Sequence, residues 1–399
     1  MSDSKGDSPG NFQGDSQRDI PSASSPSASS PSASSSADLS LSADLSLSAD
    51  LSLSEAMRTD VLEAIIEKLD EYAFPEVAEK VQKDLRDRLA SDGYQDVKSG
   101  VQLAETLTAQ LQTLSEDQHL KVYFSPAVLP HLEPQTEIPA EELAHQRRLS
   151  ELRNFDINRV ERLRGNVGYL ELFSFEPPEF AGESLAAAMT FLAHTSALII
   201  DLRRNRGGSA SMVALLTSYL LPAYPAVHLT DLYWPKEDRT QQSWTLPYVT
   251  GNRYLDKPVY VLIGPETFSA AEEFAYNLKH LERAVMVGET TAGGANPGAG
   301  FRLGDHFWMF IPTGQATSLA TGANWEGSGV LPDFKVPMEL ALKTAQLLAF
   351  RKLMRDEADG ITPLLERSLK RELADSLTQV EDELNRMQQD LVSNMSKIR

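Results

Sequence analysis

The 399-residue sequence contains no cysteine, which excludes disulfide bonds, thiolate metal sites and a cysteine nucleophile. It also has no apolar run near the ~18 residues that a membrane-spanning helix needs. Basic residues are scarce: 37 Lys and Arg stand against 57 Asp and Glu, for a formal net charge of −20. Such a chain repels phosphate backbones and anionic lipids, so we predict no nucleic-acid partner. The missing apolar run predicts that the chain has no membrane span.

The first 55 residues form a low-complexity leader, in which 20 residues are Ser. Pro-Ser-Ala-Ser-Ser occurs three times from Pro21, and Ser-Ala-Asp-Leu-Ser-Leu occurs three times from Ser36. This composition cannot offset the entropy of ordering, so residues 1–55 are predicted to be disordered. No signal peptide is visible in MSDSKGDSPG, which favours a cytoplasmic protein by default and export only if this N-terminus is artefactual.

Hydrophobic patterning divides the rest of the chain into four segments. We predict a helical N-terminal domain at 56–124, a proline-containing linker at 125–158 with a short helix at Ala140–Leu149, an α/β domain at 159–345 and a helical C-terminal extension at 346–399. Short apolar runs alternate with helical patterns in 159–345, which is typical of a parallel sheet with helical crossovers. Strands are predicted at Val167–Phe175, Ser196–Asp201, Val259–Ile263 and Ala284–Val287, helices at Ser184–His194, Ala210–Leu221 and about Ala270–Leu281, and a β-hairpin near Phe307–Pro312.

The C-terminal extension carries a heptad-like apolar pattern. Its apolar residues follow the spacing 4-3-4-3-4 of a coiled-coil seam: Leu373, Leu377, Val380, Leu384, Met387 and Leu391. The pattern is too short to separate two interpretations. One is a homodimer through this helix, and the other is a helix that packs on its own domain.

Ser269 lies in GPETFSAAEEFAYNLK, after the predicted strand Val259–Ile263 and at the start of a predicted helix. This arrangement places a hydroxyl at the carboxyl edge of a parallel sheet, where such folds bind ligands. The helix N-terminus adds free amide donors that favour an anion. A plain N-cap is the competing interpretation, and locally the favoured one, because Glu272 completes a capping box.

Three other segments contain candidate functional residues. The glycines of DLRRNRGGS (201–209) directly follow a predicted strand and suit an oxyanion hole, although a tight strand-to-helix turn is the simpler interpretation. His119 in SEDQHLKVYF is a candidate general base, although a structural or exposed histidine is locally the favoured interpretation. Glu326 in TGANWEGSGVLPD is a candidate carboxylate to orient it, and the alternative is a loop carboxylate beside a turn. None of the seven histidines lies in an H-E-x-x-H pair, so no metal site is predicted.

These segments together resemble the tail-specific (C-terminal processing) serine peptidase family. The resemblance covers about residues 59–345 and is nearest to the branch of bacterial homologues of interphotoreceptor retinoid-binding protein, with tricorn protease core domains as more distant kin. It is carried by GNVGYLELFSF, SALIIDLRRNRGGSASMVALLTSYL, VYVLIGPETFSAAEEFAYNLK, AVMVGETTAGGANPG and GANWEGSGVLPDFKV, which occur in the family's order.

The resemblance implies a ββα-spiral catalytic domain of the crotonase and Clp-protease type, preceded by a helical domain. By motif position, it implies Ser269 as nucleophile, His119 as base, Glu326 as the acidic member, and the amides of Gly207, Gly208 and Ala270 as the oxyanion hole. Processing peptidases proper use a serine–lysine pair, but Gly294 stands at the lysine position of GETTAGGANPG. A serine–histidine–glutamate mechanism is therefore expected.

The function implied is that of a serine peptidase that hydrolyses peptide or protein substrates through an acyl-enzyme and needs no cofactor. The alternative is a non-catalytic binder of retinoid-like or fatty-acid-like apolar ligands, because the vertebrate carrier uses the same architecture. A carrier needs neither the Ser, His and Glu set nor the glycine loop, so the sequence favours the enzyme. A scaffold built on the Ser-rich leader and the C-terminal helix is a third hypothesis.

Overall fold

The computed structural model describes residues 50–129, 139–358 and 367–398. Within these ranges, the side chains of residues 357–358, 367–369 and 390–398 are not described. Most of the predicted leader and part of the predicted linker therefore lie outside the described residues. None of the described helices is long and apolar enough to cross a membrane.

Three amphipathic helices open the described chain, as the sequence predicts. They are α1 (Glu55–Lys68), α2 (Pro75–Ala90) and α3 (Gly100–Ser115). Ser54 caps α1 by accepting from the Met57 amide, and Ser99 caps α3 by accepting from the Gln102 amide. Pro75 occupies the first turn of α2, where its missing N–H costs nothing.

The remaining elements alternate between strands and helices. In chain order they are β1 (Lys121–Phe124), α4 (Ala140–Leu152), β2 (Ile157–Leu163), β3 (Val167–Leu172), α5 (Pro178–Leu192), β4 (Ala197–Asp201), α6 (Ala210–Leu220), β5 (His228–Trp234), β6 (Arg239–Trp244), β7 (Val259–Ile263), α7 (Ala270–His280), β8 (Val285–Gly288), β9 (Gly298–Arg302), β10 (Phe307–Pro312), β11 (Gln315–Ser318), β12 (Phe334–Lys335), α8 (Met338–Ala358) and α9 (Arg367–Ile398). The predicted strands and helices of 159–345 are thereby confirmed, with bounds shifted by a few residues.

The central sheet has the order β12-β8-β7-β4-β3-β2. Its strands are parallel except for β2, which pairs antiparallel with β3. One face packs on α5, α6 and α7, and the other packs on α8 and α9. Strands β3, β4 and β7 are buried along their whole length, which is why they read as continuous apolar runs. The finer assignment to the ββα-spiral type stays a prediction.

Two smaller sheets connect distant parts of the chain. Strand β1 pairs antiparallel with β10, with Lys121 opposite Phe310, and β10 continues into β9. The N-terminal helices share one apolar core with this sheet, to which Phe307 and Met309 contribute. The other sheet has the order β11-β5-β6. The division into domains at the predicted boundaries stays a proposal.

The C-terminal helix α9 uses its heptad residues inside the chain. Leu373, Val380 and Leu384 are buried in the core that α9 forms with α8 and the central sheet. Glu372 also accepts a hydrogen bond from the Gly165 amide. The side chain of Leu391 is outside the described residues. The described part of the seam thus packs within the chain, and a homodimer through it stays a prediction.

Candidate active site

Ser269 stands between β7 and α7 in a strained backbone conformation, with φ 56° and ψ −122°. An ordinary N-cap residue lies in the β region, and a non-glycine residue at positive φ costs free energy that the surroundings must supply. The Ser269 amide donates to Glu272 Oε2 at 2.9 Å, which is one arm of the predicted capping box. The cap is therefore present, but the strain is more than a cap requires.

The glycine loop lies directly against this turn. A Cβ on Gly207 would come within 2.8 Å of Ser269 Cβ and 3.1 Å of the Ala270 nitrogen. The Gly207 amide donates to Asn205 Oδ1 at 2.9 Å and is therefore not free for an oxyanion, which corrects its predicted role. In the described part of the chain, the amides of Gly208 and Ala270 donate to no acceptor. These two amides are the free donors beside the serine.

Asn205 holds the loop and the serine turn together. Its side chain is fully buried, and its Nδ2 donates to the Leu172 carbonyl at the end of β3. The backbone carbonyl of Asn205 accepts from the Phe268 amide. Sequence reasoning missed this residue. The available signal was an uncharged amide side chain inside an otherwise charged loop, two positions before the first of two glycines.

His119 is buried between α3 and β1. Its ring packs on Phe268, with 4.3 Å between ring centroids, and on Phe310. Its backbone N–H donates to Asp117 Oδ1 at 2.9 Å. Burial lowers the pKa of His119 to about 3, so the imidazole is neutral near pH 7. Its Nδ1 is buried and has no hydrogen-bond partner among the described residues.

Asp117 is a second acidic group beside the imidazole. It is 2% exposed, its Oδ1 lies 3.9 Å from His119 Nδ1, and its Oδ2 accepts from the Tyr72 hydroxyl at 2.9 Å. Burial raises the pKa of Asp117, and burial together with the Asp117 charge raises the pKa of Tyr72. Sequence reasoning missed both residues, although Asp117 stands two positions before the candidate base.

Glu326 is the other carboxyl group of the cluster around this imidazole. Its Oε2 accepts from the amides of Ala295 and Asn296 and from Asn296 Nδ2, at 2.7, 3.2 and 3.1 Å. Its Oε1 is buried and has no partner among the described residues. Burial first, and then the charge of Asp117, raise the pKa of Glu326 to about 8. One oxygen each of Asp117 and Glu326 and one ring nitrogen of His119 lie within 4.8 Å of one another.

Glu272 organises the loop that contains Thr291, Gly293 and Gly294. Besides the Ser269 amide, its carboxylate accepts from the Thr291 hydroxyl and from the amides of Gly293 and Gly294. Burial raises its pKa to about 7 although these hydrogen bonds act in the opposite direction. The sequence identified Glu272 only as a capping partner, because the loop contacts are 19 to 22 residues away.

The structure thus brings the predicted residues into two adjoining groups. Ser269 lies with the glycine loop and Ala270, and His119 lies with Glu326 and Asp117. Phe268 joins the groups, since it precedes the serine and its ring packs on the imidazole. No hydrogen bond links Ser269 to His119 in the described residues. A hydroxyl, a neutral imidazole, two carboxylates and free amides are the components of acyl-transfer chemistry.

Two family models match the chain. The model of peptidase family S41 matches residues 166–336, and the model of the N-terminal domain of peptidase S41 in eukaryotic IRBP matches residues 49–154. The first range contains the glycine loop, Ser269 and Glu326. The second contains Tyr72, Asp117 and His119, so the two groups of site residues come from both matched ranges.

Individual relatives are similar over shorter stretches. The carboxyl-terminal-processing protease of Synechocystis sp. is 32% identical over 130 residues, which are 32% of this chain and 28% of the relative. The chloroplastic carboxyl-terminal-processing peptidase 1 of Arabidopsis thaliana is 27% identical over 184 residues, which are 46% of this chain and 36% of the relative. The chain therefore matches well under half the length of these curated relatives.

A solved structure, that of the photosystem II D1 C-terminal processing protease, is 16% identical with a TM-score of 0.44 and covers 71% of this chain and 94% of that one. The family assignment does not depend on it. The two family models follow each other along the sequence and together take in more than half of its residues. The chain belongs to peptidase family S41, with an N-terminal domain of the kind found in eukaryotic IRBP.

Proposed function

We propose that this protein is a serine peptidase that cleaves peptide bonds through an acyl-enzyme on Ser269. The observation that carries the proposal is the strained backbone of Ser269 beside the free amides of Gly208 and Ala270. Strain at a serine between a strand and a helix exposes the hydroxyl at the sheet edge, as in nucleophile elbows of other hydrolases. A purely structural N-cap needs neither the strain nor the free donors.

In this mechanism His119 accepts the Ser269 proton as the hydroxyl attacks the substrate carbonyl. The imidazole is neutral near pH 7, as a base must be. The imidazolium that forms is stabilised by the negative charge carried by the carboxyl pair of Asp117 and Glu326, and it then protonates the leaving amine. The serine and the imidazole must approach each other further, since catalytic hydrogen bonds often tighten only with substrate bound.

The oxyanion of the tetrahedral intermediate is placed on the amides of Gly208 and Ala270. Backbone donors aimed at a developing negative charge lower the barrier because they need no reorganisation during the reaction. Gly207 serves a different purpose: with no side chain, it lets the loop lie against Ser269. Asn205 holds the Gly207 amide and so acts as a positioning residue for the loop.

A small apolar cleft lies near the loop, between the end of β3 and the starts of α5 and α6. Its cavity volume is about 10 Å³, room for about one water molecule. Its lining includes Leu172, Met212 and Leu216. Phe175, in the segment after β3, bridges to Gly208 and so links the cleft to the oxyanion donors.

A carrier of apolar ligands is the second candidate function. It is supported by the match of residues 49–154 to the N-terminal domain found in eukaryotic IRBP. The volume of the cleft, about 10 Å³, is far below the ~300 Å³ at which pockets for drug-sized ligands begin. The carrier hypothesis also gives no role to the strained serine or to the carboxylates around His119.

The test is labelling of the purified chain with a fluorophosphonate, followed by peptide mapping and peptide-cleavage assays. We expect label on Ser269, and a loss of about 10⁴-fold or more in kcat for Ser269→Ala. Ser99→Ala is the matched control, because Ser99 is an N-cap in an ordinary extended conformation. It should lose stability but neither label nor activity. Saturable retinol binding without labelling of Ser269 would instead support the carrier.

A further inference from the structure

The cluster of Asp117, His119 and Glu326 contains two buried polar atoms that the protein itself does not satisfy. His119 Nδ1 and Glu326 Oε1 have no hydrogen-bond partner among the described residues. His119 is 7% exposed, and its Nδ1 faces Asp117 Oδ1 at 3.9 Å. Leaving such atoms unpaired is costly, so a native site of this kind is expected to hold a further partner.

The donor set matches a transition metal. One ring nitrogen and two carboxylate oxygens are the ligand types of three-residue zinc sites, which keep a fourth position for water. The three ligand atoms lie within 4.8 Å of one another. Tetrahedral ligands of Zn²⁺ are about 3.4 Å apart, so binding requires the three ligand atoms to close by at most roughly 1.4 Å.

Groups behind the two carboxylates hold them in place. The Tyr72 hydroxyl donates to Asp117 Oδ2, and the amides of Ala295 and Asn296 hold Glu326 Oε2. The far oxygen of each carboxylate is thus engaged. Asp117 Oδ1 accepts from the His119 backbone N–H and lies 3.9 Å from His119 Nδ1, and Glu326 Oε1 is buried without a partner among the described residues. Such outer partners orient metal ligands and raise the affinity of metal sites.

We propose that Asp117, His119 and Glu326 form a binding site for a divalent transition metal of the zinc class, and that the bound ion inhibits hydrolysis. The local spacing of the histidines does not predict this site, because its third ligand lies more than 200 residues along the chain from the other two. Metal binding stands independently of the proposed peptidase function, whereas the inhibition rests on it.

The inhibition follows from the two nitrogens of imidazole. A neutral ring has one N–H and one lone pair. An ion on Nδ1 takes up that lone pair, so the ring proton resides on Nε2. Nε2 then donates and cannot accept the proton of the Ser269 hydroxyl, and the ion also occupies the carboxylates that would stabilise the imidazolium. The same imidazole can therefore serve as a base or as a metal ligand, but not as both.

The binding test uses the tag-free full-length chain, stripped with EDTA, dialysed and titrated with ZnCl₂ by calorimetry. We expect one equivalent of Zn²⁺ in the wild type and in Ser269→Ala, since the hydroxyl is not a ligand. His119→Gln and Glu326→Gln should each weaken binding at least about 10-fold. His228→Asn is the matched control, because it removes the partly exposed His228–Asp231 pair, which offers only two ligands. It should bind like the wild type.

Folding is monitored in the same samples by thermal unfolding. Zn²⁺ should raise the Tm of the wild type and of Ser269→Ala, and should leave that of a folded Glu326→Gln unchanged. Absence of stoichiometric binding, or undiminished binding by His119→Gln, would overturn the site. Zn²⁺ that binds the wild type but leaves its peptide cleavage unchanged would overturn the inhibition. A wild type that neither cleaves peptides nor takes the fluorophosphonate would overturn the proposed function, and the titration of Ser269→Ala would still decide the metal site.

Discussion

The imidazole of His119 fills the space that a side chain at position 294 would need. A Cβ on Gly294 would lie 2.6 Å from His119 Cε1 and would overlap the ring of Phe268. The sequence resemblance places the lysine of processing peptidases proper at position 294, and in this structure the imidazole takes up that space. A lysine at 294 and His119 in its present place exclude each other sterically.

Gly294→Ala tests this relationship. The added methyl must displace His119 or Phe268, and a misplacement of about 1 Å can cost about 10²-fold in rate. We expect peptide-cleavage kcat/KM to fall by about that factor, measured by steady-state kinetics. Gly182→Ala in α5 is the control, because its Cβ would meet no atom closer than 3.8 Å and activity should be unchanged. Full activity of Gly294→Ala would contradict a role for His119.

Asn205→Ala tests the positioning of the oxyanion loop. The substitution releases the Gly207 amide and the Leu172 carbonyl, so the amide of Gly208 loses its fixed direction. We expect kcat to fall by about 10²-fold with KM little changed, because the lost contact matters mainly in the transition state. If the fall in kcat only matches the fall in the fraction of folded protein, and the folded fraction takes the fluorophosphonate as the wild type does, Asn205 has a structural role alone.

Tyr72→Phe tests whether the N-terminal helices contribute to the site. It removes the hydrogen bond to Asp117 without changing the shape of the side chain. We expect about a 10-fold loss of kcat and a shifted pH profile of kcat, since the carboxylate beside His119 changes its environment. Tyr94→Phe is the matched control: its hydroxyl donates to Gln110, away from His119. The idea fails if both variants behave alike in kinetics.

Glu273→Gln tests a buried carboxyl outside the proposed mechanism. Burial raises the pKa of Glu273 from its usual 4.5 to about 7, so the folded protein retains a proton that the unfolded chain releases. The corresponding stability is fully present below pH 4.5 and is lost as the pH rises through 7. The amide cannot ionise, so the variant should gain up to about 3 kcal/mol relative to wild type between pH 5 and pH 8. Urea unfolding at both pH values measures this, with Glu79→Gln, on the exposed face of α2, as control.

Leu373→Ala tests whether α9 belongs to the core of its own chain. Leu373 is 2% exposed and packs with α8 and the central sheet. We expect a loss of about 2–5 kcal/mol in the free energy of unfolding. Light scattering should give the same mass for the variant and the wild type. A wild-type dimer that dissociates on this substitution would show instead that the heptad seam joins two copies.

Much of the fold was predictable from local sequence. Helices α1 to α3 and the buried strands β3, β4 and β7 have clear periodicity or continuous apolar runs, and their ends carry caps and glycines. Strands β1, β5 and β6 were not predicted, because each is short or partly exposed; β1 pairs with the distant β10, and the β5–β6 hairpin joins the distant β11. Their pairing depends on tertiary contacts that no window of sequence contains.

The residues of the candidate active site likewise fall into those that local sequence predicted and those that only tertiary contacts revealed. By itself, the sequence determined that a serine opens a helix after a buried strand, that glycines follow the neighbouring strand, and that no cysteine can act there. The tertiary structure alone decided that Asp117 and Tyr72 accompany His119, that Asn205 holds the Gly207 amide, and that Glu272 organises the loop at Gly294. Backbone propensity and hydrophobic period act over a few residues, whereas burial, pKa and hydrogen-bond partners arise between segments that only the folded chain brings together.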